Sequence, residues 1–210
     1  MDKRFLGIIL VIVLIFGGVL LFNKNSNGSG NAQPTNHVMG TAKNNVTLLE
    51  YGDYQCPACG RYYPVVKQVV AEYQDRIQFQ FRNLPLNQIH QNAYAGARAA
   101  EAAALQNKFW QMHDALYEGQ ASWSESSNPQ PFFDNYAKGL SLNIVQFDKD
   151  FASDNVNGTI NADIAAFNKT GATMATPSFF LNGKQINPGA SASDFEALLN
   201  NALKNTSANK

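Results

Sequence analysis

Cysteine is scarce in this sequence: two residues in 210, Cys56 and Cys59, three positions apart. None remains for a structural cross-link, so the fold must rest on its core, which 45% hydrophobic residues can supply. Histidine is nearly as rare. His37, His90 and His113 are scattered, and a lone Cys-x-x-Cys is only half of a four-ligand zinc site, so no metal centre is expected. Net charge is absent as well: 16 basic residues balance 16 acidic ones, with no basic run or stripe. That speaks against a nucleic-acid partner. From Gln88 to about Thr170 no strand pattern occurs. The length fits one globular domain with accessories.

What is present centres on Glu50-Tyr-Gly-Asp-Tyr-Gln-Cys56-Pro57-Ala58-Cys59. Val46 to Tyr51 is apolar, β-branched or aromatic at most positions and reads as a buried strand. Gly52-Asp53 breaks it. Beyond Pro57, Tyr62, Tyr63, Val65, Val66, Val69, Val70 and Tyr73 recur at helical spacing. Pro57 suits a first helical turn, where its missing N–H is no loss. Cys56 is therefore expected at the helix start, with Cys59 one turn in. The unpaired N–H groups and the positive dipole end stabilise a thiolate there, so Cys56 should ionise below the free value of about 8.5. Sulfurs three positions apart share a helix face and can close a small disulfide ring. A thiolate that is stable when reduced also leaves readily, which makes the disulfide a good oxidant. Glu50 has two readings. It points to solvent at a strand end, or it lies beneath the active-site helix with a raised pKa and relays a proton to or from Cys59.

Phe5 to Phe22 carries no charge over 18 residues. As a helix it is about 27 Å long, just enough for the hydrocarbon core of a bilayer. Lys3 and Arg4 precede it. By the positive-inside rule, residues 1–4 are a short cytoplasmic tail and 5–22 a transmembrane signal-anchor. The catalytic part then lies on the extracytoplasmic side of the cell membrane. A cleaved signal peptide is the rival reading, but its apolar core is usually ~7–15 residues, and the nearest small-residue cut site, Ser29 to Ala32, is distant. Residues 23–40, rich in Asn, Ser and Gly, read as a flexible linker with His37 solvated at its end. The catalytic domain is expected over 41–210.

Ile77 to Arg82 alternates cleanly as a second strand, and strand–helix–strand predicts a right-handed parallel βαβ unit. Asn92 to Leu105 is alanine-rich and helical, and Phe109 to Tyr117 continues an apolar face. Further helices are expected over 132–140, 144–152 and 156–167. A helical insertion of about 86–170 thus separates two halves of a sheet. His90 and His113 read as helix-end or packing residues rather than ligands. Ser178 to Leu181 is a strand, Asn182-Gly183 a hairpin turn, residues 185–187 return, and 194–203 form an amphipathic helix. Pro177 also has two readings. It simply starts the strand, or it is cis and turns the Thr176 backbone toward the cysteines, the rarer form at about 5–6% of such bonds.

Cys56-Pro-Ala-Cys59 after a strand, Thr176-Pro177 before a late hairpin, and the helical block between them resemble the DsbA-like thiol:disulfide oxidoreductases. These are a branch of the thioredoxin superfamily, here in its membrane-anchored bacterial form. Phe81-Arg-Asn-Leu-Pro85, Ala99-Ala-Glu101-Ala-Ala103, Lys108 to Asp114 and Thr176 to Gly183 are similar to that branch, and the likeness covers about 41–203. It implies an α/β thioredoxin fold with a helical insertion between the βαβ half and the ββα half. It implies that Cys56 is the nucleophile and Cys59 the buried resolving partner of a Cys56–Cys59 disulfide. Pro177 is then cis, and Thr176 offers backbone hydrogen bonds to substrate, with Pro57 and Ala58 beside it. Glu50 stands where the superfamily keeps a buried carboxylate.

The implied activity is the introduction of disulfides into reduced exported proteins. Reoxidation falls to a quinone-linked membrane protein of the DsbB or vitamin K epoxide reductase type, and no metal or dissociable cofactor is needed. One departure bears on direction. The strong oxidants of the family carry His where Ala58 stands, which leaves a less oxidising potential and a reductase open. An isomerase is weakened because no separate dimerisation domain precedes the cysteines. Outside redox chemistry, the alternative is a metal-binding or chaperone module.

Overall fold

Short alternating runs of apolar residues build the central sheet. The computed structural model describes residues 32–41 and 45–208. Strand β1 is His37–Gly40, β2 is Thr47–Gly52, β3 is Gln78–Asn83, β4 is Ser178–Leu181 and β5 is Lys184–Ile186. Among the described residues they form one five-stranded sheet in the order β1-β3-β2-β4-β5. β2 and β3 are parallel, and the other neighbours are antiparallel. Helix α1, Pro57–Tyr73, makes the crossover between β2 and β3. Asn182 (φ 51°) and Gly183 (φ 80°) turn β4 into β5, both in the left-handed region that an Asn-Gly hairpin tolerates. The expected βαβ unit and late hairpin are both present.

The period of two sends Leu48 and Glu50 to one face of β2 and Leu49 and Tyr51 to the other. On the first face Leu48, Phe79, Phe81 and Phe179 join Val66 and Val69 of α1 and Phe195 and Leu199 of the C-terminal helix in the main core. On the second, Tyr51 meets Phe167 and Phe180 edge to face. The insertion supplies six helices among the described residues: α2 Ala93–Ala104, α3 Phe109–Glu118, α4 Gln120–Trp123, α5 Gln130–Gly139, α6 Ile144–Phe151 and α7 Asp154–Asn168. The small buried side chains of α2 let α3, α6 and α7 pack against it. Trp123, Phe133 and Phe147 fill the interior of this layer. The last helix, α8, is Ala192–Ala208 and packs against α1.

Two expectations fail. The linker does not run to residue 40, because the compact unit starts at Gln33. Thr35 is buried, its N–H and hydroxyl donating to Asp163 at 2.7 and 2.9 Å. His37 is not solvated: its Nε2 lies 2.9 Å from Glu101 and its ring stacks on Phe109. β1 owes its conformation to pairing with β3 and to these distant partners, which local composition cannot register. The second correction concerns the membrane. Among the described residues no helix is long and apolar enough to cross a bilayer. The longest, α1 and α8, have 17 residues each, amphipathic and turned to the core, against about 20 apolar residues for a span. The placement as a single-pass cell-membrane protein with an extracytoplasmic catalytic domain is therefore withdrawn. Residues 5–22, on which it rested, lie outside the described residues.

Candidate active site

The turn leaving β2 delivers Cys56 to the start of α1. Cys56 is the N-cap, still extended (φ −64°, ψ 121°), and Pro57 opens the helix. The Thr176–Pro177 peptide is cis, and Cys56 Sγ lies 3.5 Å from the Thr176 carbonyl oxygen, to which the thiol donates in its protonated form. Residues 120 positions apart thus meet at one point. Pro57 is exposed and Ala58 partly so, on the turn that follows Cys56.

Both thiols are free, and their surroundings set them apart. The Cys56 thiol is lowered to about 5, chiefly by a hydrogen bond from the Cys59 side chain. Burial opposes this, while the Thr176 side chain and the N–H groups of Cys59 and Ala58 add to it. Thr176 Oγ1 is buried without a hydrogen-bond partner among the described residues, so its hydroxyl is available as a donor when the sulfur is ionised. Cys59 is fully buried. Burial pushes its thiol well above the ordinary value, and the charges of Cys56 and Glu50 add to the effect. One sulfur is thus ionised at neutral pH, and the other is a protonated donor to it.

Glu50 does not reach solvent. It sits opposite Phe81 on one side and Phe179 on the other, is 3% exposed, and burial raises its carboxyl to about 8. Alternation along β2 places it on the α1 side of the sheet with Leu48.

The sequence matches the thioredoxin family over residues 32–201. The chain belongs to the thioredoxin family. A thioredoxin-like oxidoreductase from Silicibacter pomeroyi DSS-3 is similar in structure, with a TM-score of 0.68 at 26% identity, covering 82% of this chain and 94% of that one. Alpha-DsbA1 of Wolbachia pipientis gives a TM-score of 0.72 at 19% identity, covering 84% and 94%. This thioredoxin-family chain therefore has the fold of the DsbA-type thiol:disulfide oxidoreductases, helical insertion included. Among curated proteins, the Na(+)/H(+) antiporter NhaA 3 of Salinispora tropica is 36% identical over 149 residues, 71% of this chain. The chain spans only 22% of the length of that relative.

Several residues that hold the thioredoxin-family site together escape a reading of motifs. Asp53 is buried and accepts from the N–H of Gln55 at 2.8 Å, the N–H of Leu86 at 3.0 Å and Nδ1 of His90 at 2.7 Å. The Gln55 side chain donates to the Ser124 carbonyl and accepts from the Asn92 N–H. Gln120 of α4 donates to the carbonyls of Tyr54 and Cys56 at 2.7 and 3.0 Å. Its amide packs on Gly60, where a Cβ has no room. The insertion thus grips the active-site turn from three directions. Only Asp53 left a trace in the sequence: a Gly-Asp pair after a strand is a turn signal, and the Asp53–Gln55 bond is the Asx turn it foretells. Among the described residues no group of three or more His, Cys, Asp or Glu is placed to hold a metal ion.

Proposed function

We propose that this thioredoxin-family oxidoreductase works as a disulfide donor to reduced proteins through Cys56-Pro57-Ala58-Cys59. The observation that carries the proposal is the opposed ionisation of two thiols on one helical turn, Cys56 down to about 5 and Cys59 well up. In the oxidised form a substrate thiolate attacks Cys56 Sγ and the Cys56–Cys59 bond breaks. Cys59 leaves with the electron pair and takes a proton, for which buried Glu50 is the proposed source. A second substrate thiolate then attacks the substrate sulfur of the mixed disulfide and expels Cys56 as a stable thiolate. The substrate loses two electrons, the enzyme gains them, and its dithiol must be reoxidised. A quinone-linked protein of the DsbB or vitamin K epoxide reductase type is the proposed acceptor. Thr176, beside cis Pro177, is the proposed contact for an extended substrate segment, with Pro57 and Ala58 flanking it.

Ala58 favours a second direction. Without a cation between Pro57 and Cys59, stabilisation of the thiolate falls to hydrogen bonds and the helix terminus, and reduction of disulfides by Cys56 becomes the reverse of the same steps. Equilibration with glutathione decides between the two. A potential more oxidising than about −200 mV is expected, and one near about −270 mV, typical of thioredoxin, overturns the donor assignment.

A further inference from the structure

Behind the active-site helix lies a cavity of about 390 Å3, between α1, α3 and the sheet. That volume falls in the range of small-ligand sites, about 300–1,000 Å3. Tyr63, Phe79, Trp110, His113 and Tyr117 line it, and Glu50 does too. The aromatic rings lie close together: His113 is 5.1 Å from Tyr117 and 5.2 Å from Trp110, and Tyr63 stacks on Tyr117 at 5.1 Å. Such walls accept a flat apolar body.

Polar atoms in this lining lack partners. His113 Nε2 and the Tyr117 hydroxyl are buried without a hydrogen bond among the described residues. Leaving such atoms unpaired is unfavourable, so something that bonds them is favoured. The form of His113 can be worked out. Its Nδ1 lies 3.2 Å from Asp114 Oδ1. Asp114 also pairs with Lys67 at 2.9 Å, and these neighbours hold its carboxyl below the ordinary value despite burial. Burial lowers the His113 pKa, which favours the neutral ring. The single ring proton then sits on Nδ1, facing the carboxylate, and Nε2 is a lone pair in need of a donor. Glu50 and Tyr117, both held protonated by burial near neutral pH, are O–H donors in need of an acceptor. A hydroxyl meets both needs, since it donates to one atom and accepts from another. A carboxylate or an ammonium meets neither without burying a charge.

We propose that this cavity is a binding site for a small neutral hydroxyarene, its ring between the aromatic walls and its hydroxyl donating to His113 Nε2. The site is separate from the surface at Cys56 and Thr176, and the proposal does not depend on the direction of thiol exchange. The probes are 1-naphthol and 1-methoxynaphthalene, which share a ring system but differ in the O–H. Each is titrated into the whole oxidised chain and followed by amide chemical shifts. The expected result is saturable binding of 1-naphthol, with shifts centred on residues 110–117 and 66–70, and about tenfold weaker binding of the ether for one lost hydrogen bond. His113→Phe, which keeps the ring and removes the acceptor, should weaken 1-naphthol by a similar factor and leave the ether unchanged. Ala71→Trp, on the exposed side of the cavity lining, should block both probes in the oxidised chain while Cys56 of the same variant, once reduced, still titrates near 5. Equal affinity for the two probes in the unaltered protein overturns the proposal. So does a crystal grown with 1-naphthol whose cavity holds only water.

Discussion

Glu50 and Cys56 respond to pH in opposite directions, and the signs can be separated by experiment. Burial lifts the Glu50 carboxyl from 4.5 to about 8 in the fold, so folding takes up a proton. The stability linked to Glu50 is complete below 4.5 and is lost as pH rises through about 8. Cys56 is depressed from 9.0 to about 5. Its contribution to the dithiol form is complete above 9 and is lost as pH falls through about 5. Oxidising the cysteines removes the second effect and leaves the first. For the oxidised protein, Glu50→Gln is expected to raise stability by up to about 3 kcal/mol at pH 7 and by nothing below about pH 4. Urea unfolding at several pH values reads the difference. If the gain is the same at every pH, Glu50 is not the buried acid described above. The same variant should slow the opening of the Cys56–Cys59 disulfide by a substrate thiolate, the step in which Cys59 takes its proton, by about a hundredfold. Glu50 was readable as a candidate because strand alternation and its distance from Cys56 are local facts. His90 was not, because its bond to Asp53 spans 37 positions and no local pattern encodes it.

At the scale of elements, the helical insertion acts on the active-site turn through α4. Four residues are too few to show a helical period, so the sequence around Ser122 reads as loop. The longer helices, each with an apolar face over three turns or so, are readable within two or three residues of their ends, except that α8 runs to Ala208, five residues past the expected end at 203. What α4 contributes is a single side chain. The Gln120 amide binds two carbonyls two positions apart, those of Tyr54 and Cys56, at 2.7 and 3.0 Å, and turns its N–H dipole toward the end of the turn that carries the thiolate. Gln120 is a positioning residue, and Gln120→Ala should do two things. Loss of two hydrogen bonds should cost about 1–2 kcal/mol of stability. The Cys56 titration, followed by thiolate absorbance, should move upward from about 5. A filler of space with no bearing on the thiolate would lower the melting temperature and leave that titration in place. Gln120→Glu, which removes the N–H donors and adds a negative charge, should raise the Cys56 midpoint further than alanine does.

Across the whole molecule, the N-terminal segment is tied to the far side of the insertion through buried polar groups rather than apolar ones. Asp163 of α7 accepts from the Thr35 N–H and hydroxyl, the Asn83 N–H at 3.0 Å and the Asn83 amide at 3.2 Å. Asn83 reaches on to Glu101 at 2.7 Å, and Glu101 to His37. Gln80 and Arg82 donate to the Thr35 carbonyl. Polar residues give no hydrophobic period, and their partners lie up to 128 positions away. A reading from composition therefore takes Thr35 for linker and assigns Asp163 no partner. If Thr35 were linker, Thr35→Ala would change nothing. Since it is buried and bonded, the loss should be about 1–2 kcal/mol. Asp163→Ala strands several buried donors at once and should cost about 3 kcal/mol or more. The two losses share the same bonds, so they cannot add. A double-mutant cycle by chemical unfolding should return a coupling of about 1–2 kcal/mol, and amide exchange over 37–40 should quicken in both single variants. A coupling indistinguishable from zero breaks the link between residues 33–40 and α7 and leaves β1 held by its pairing with β3.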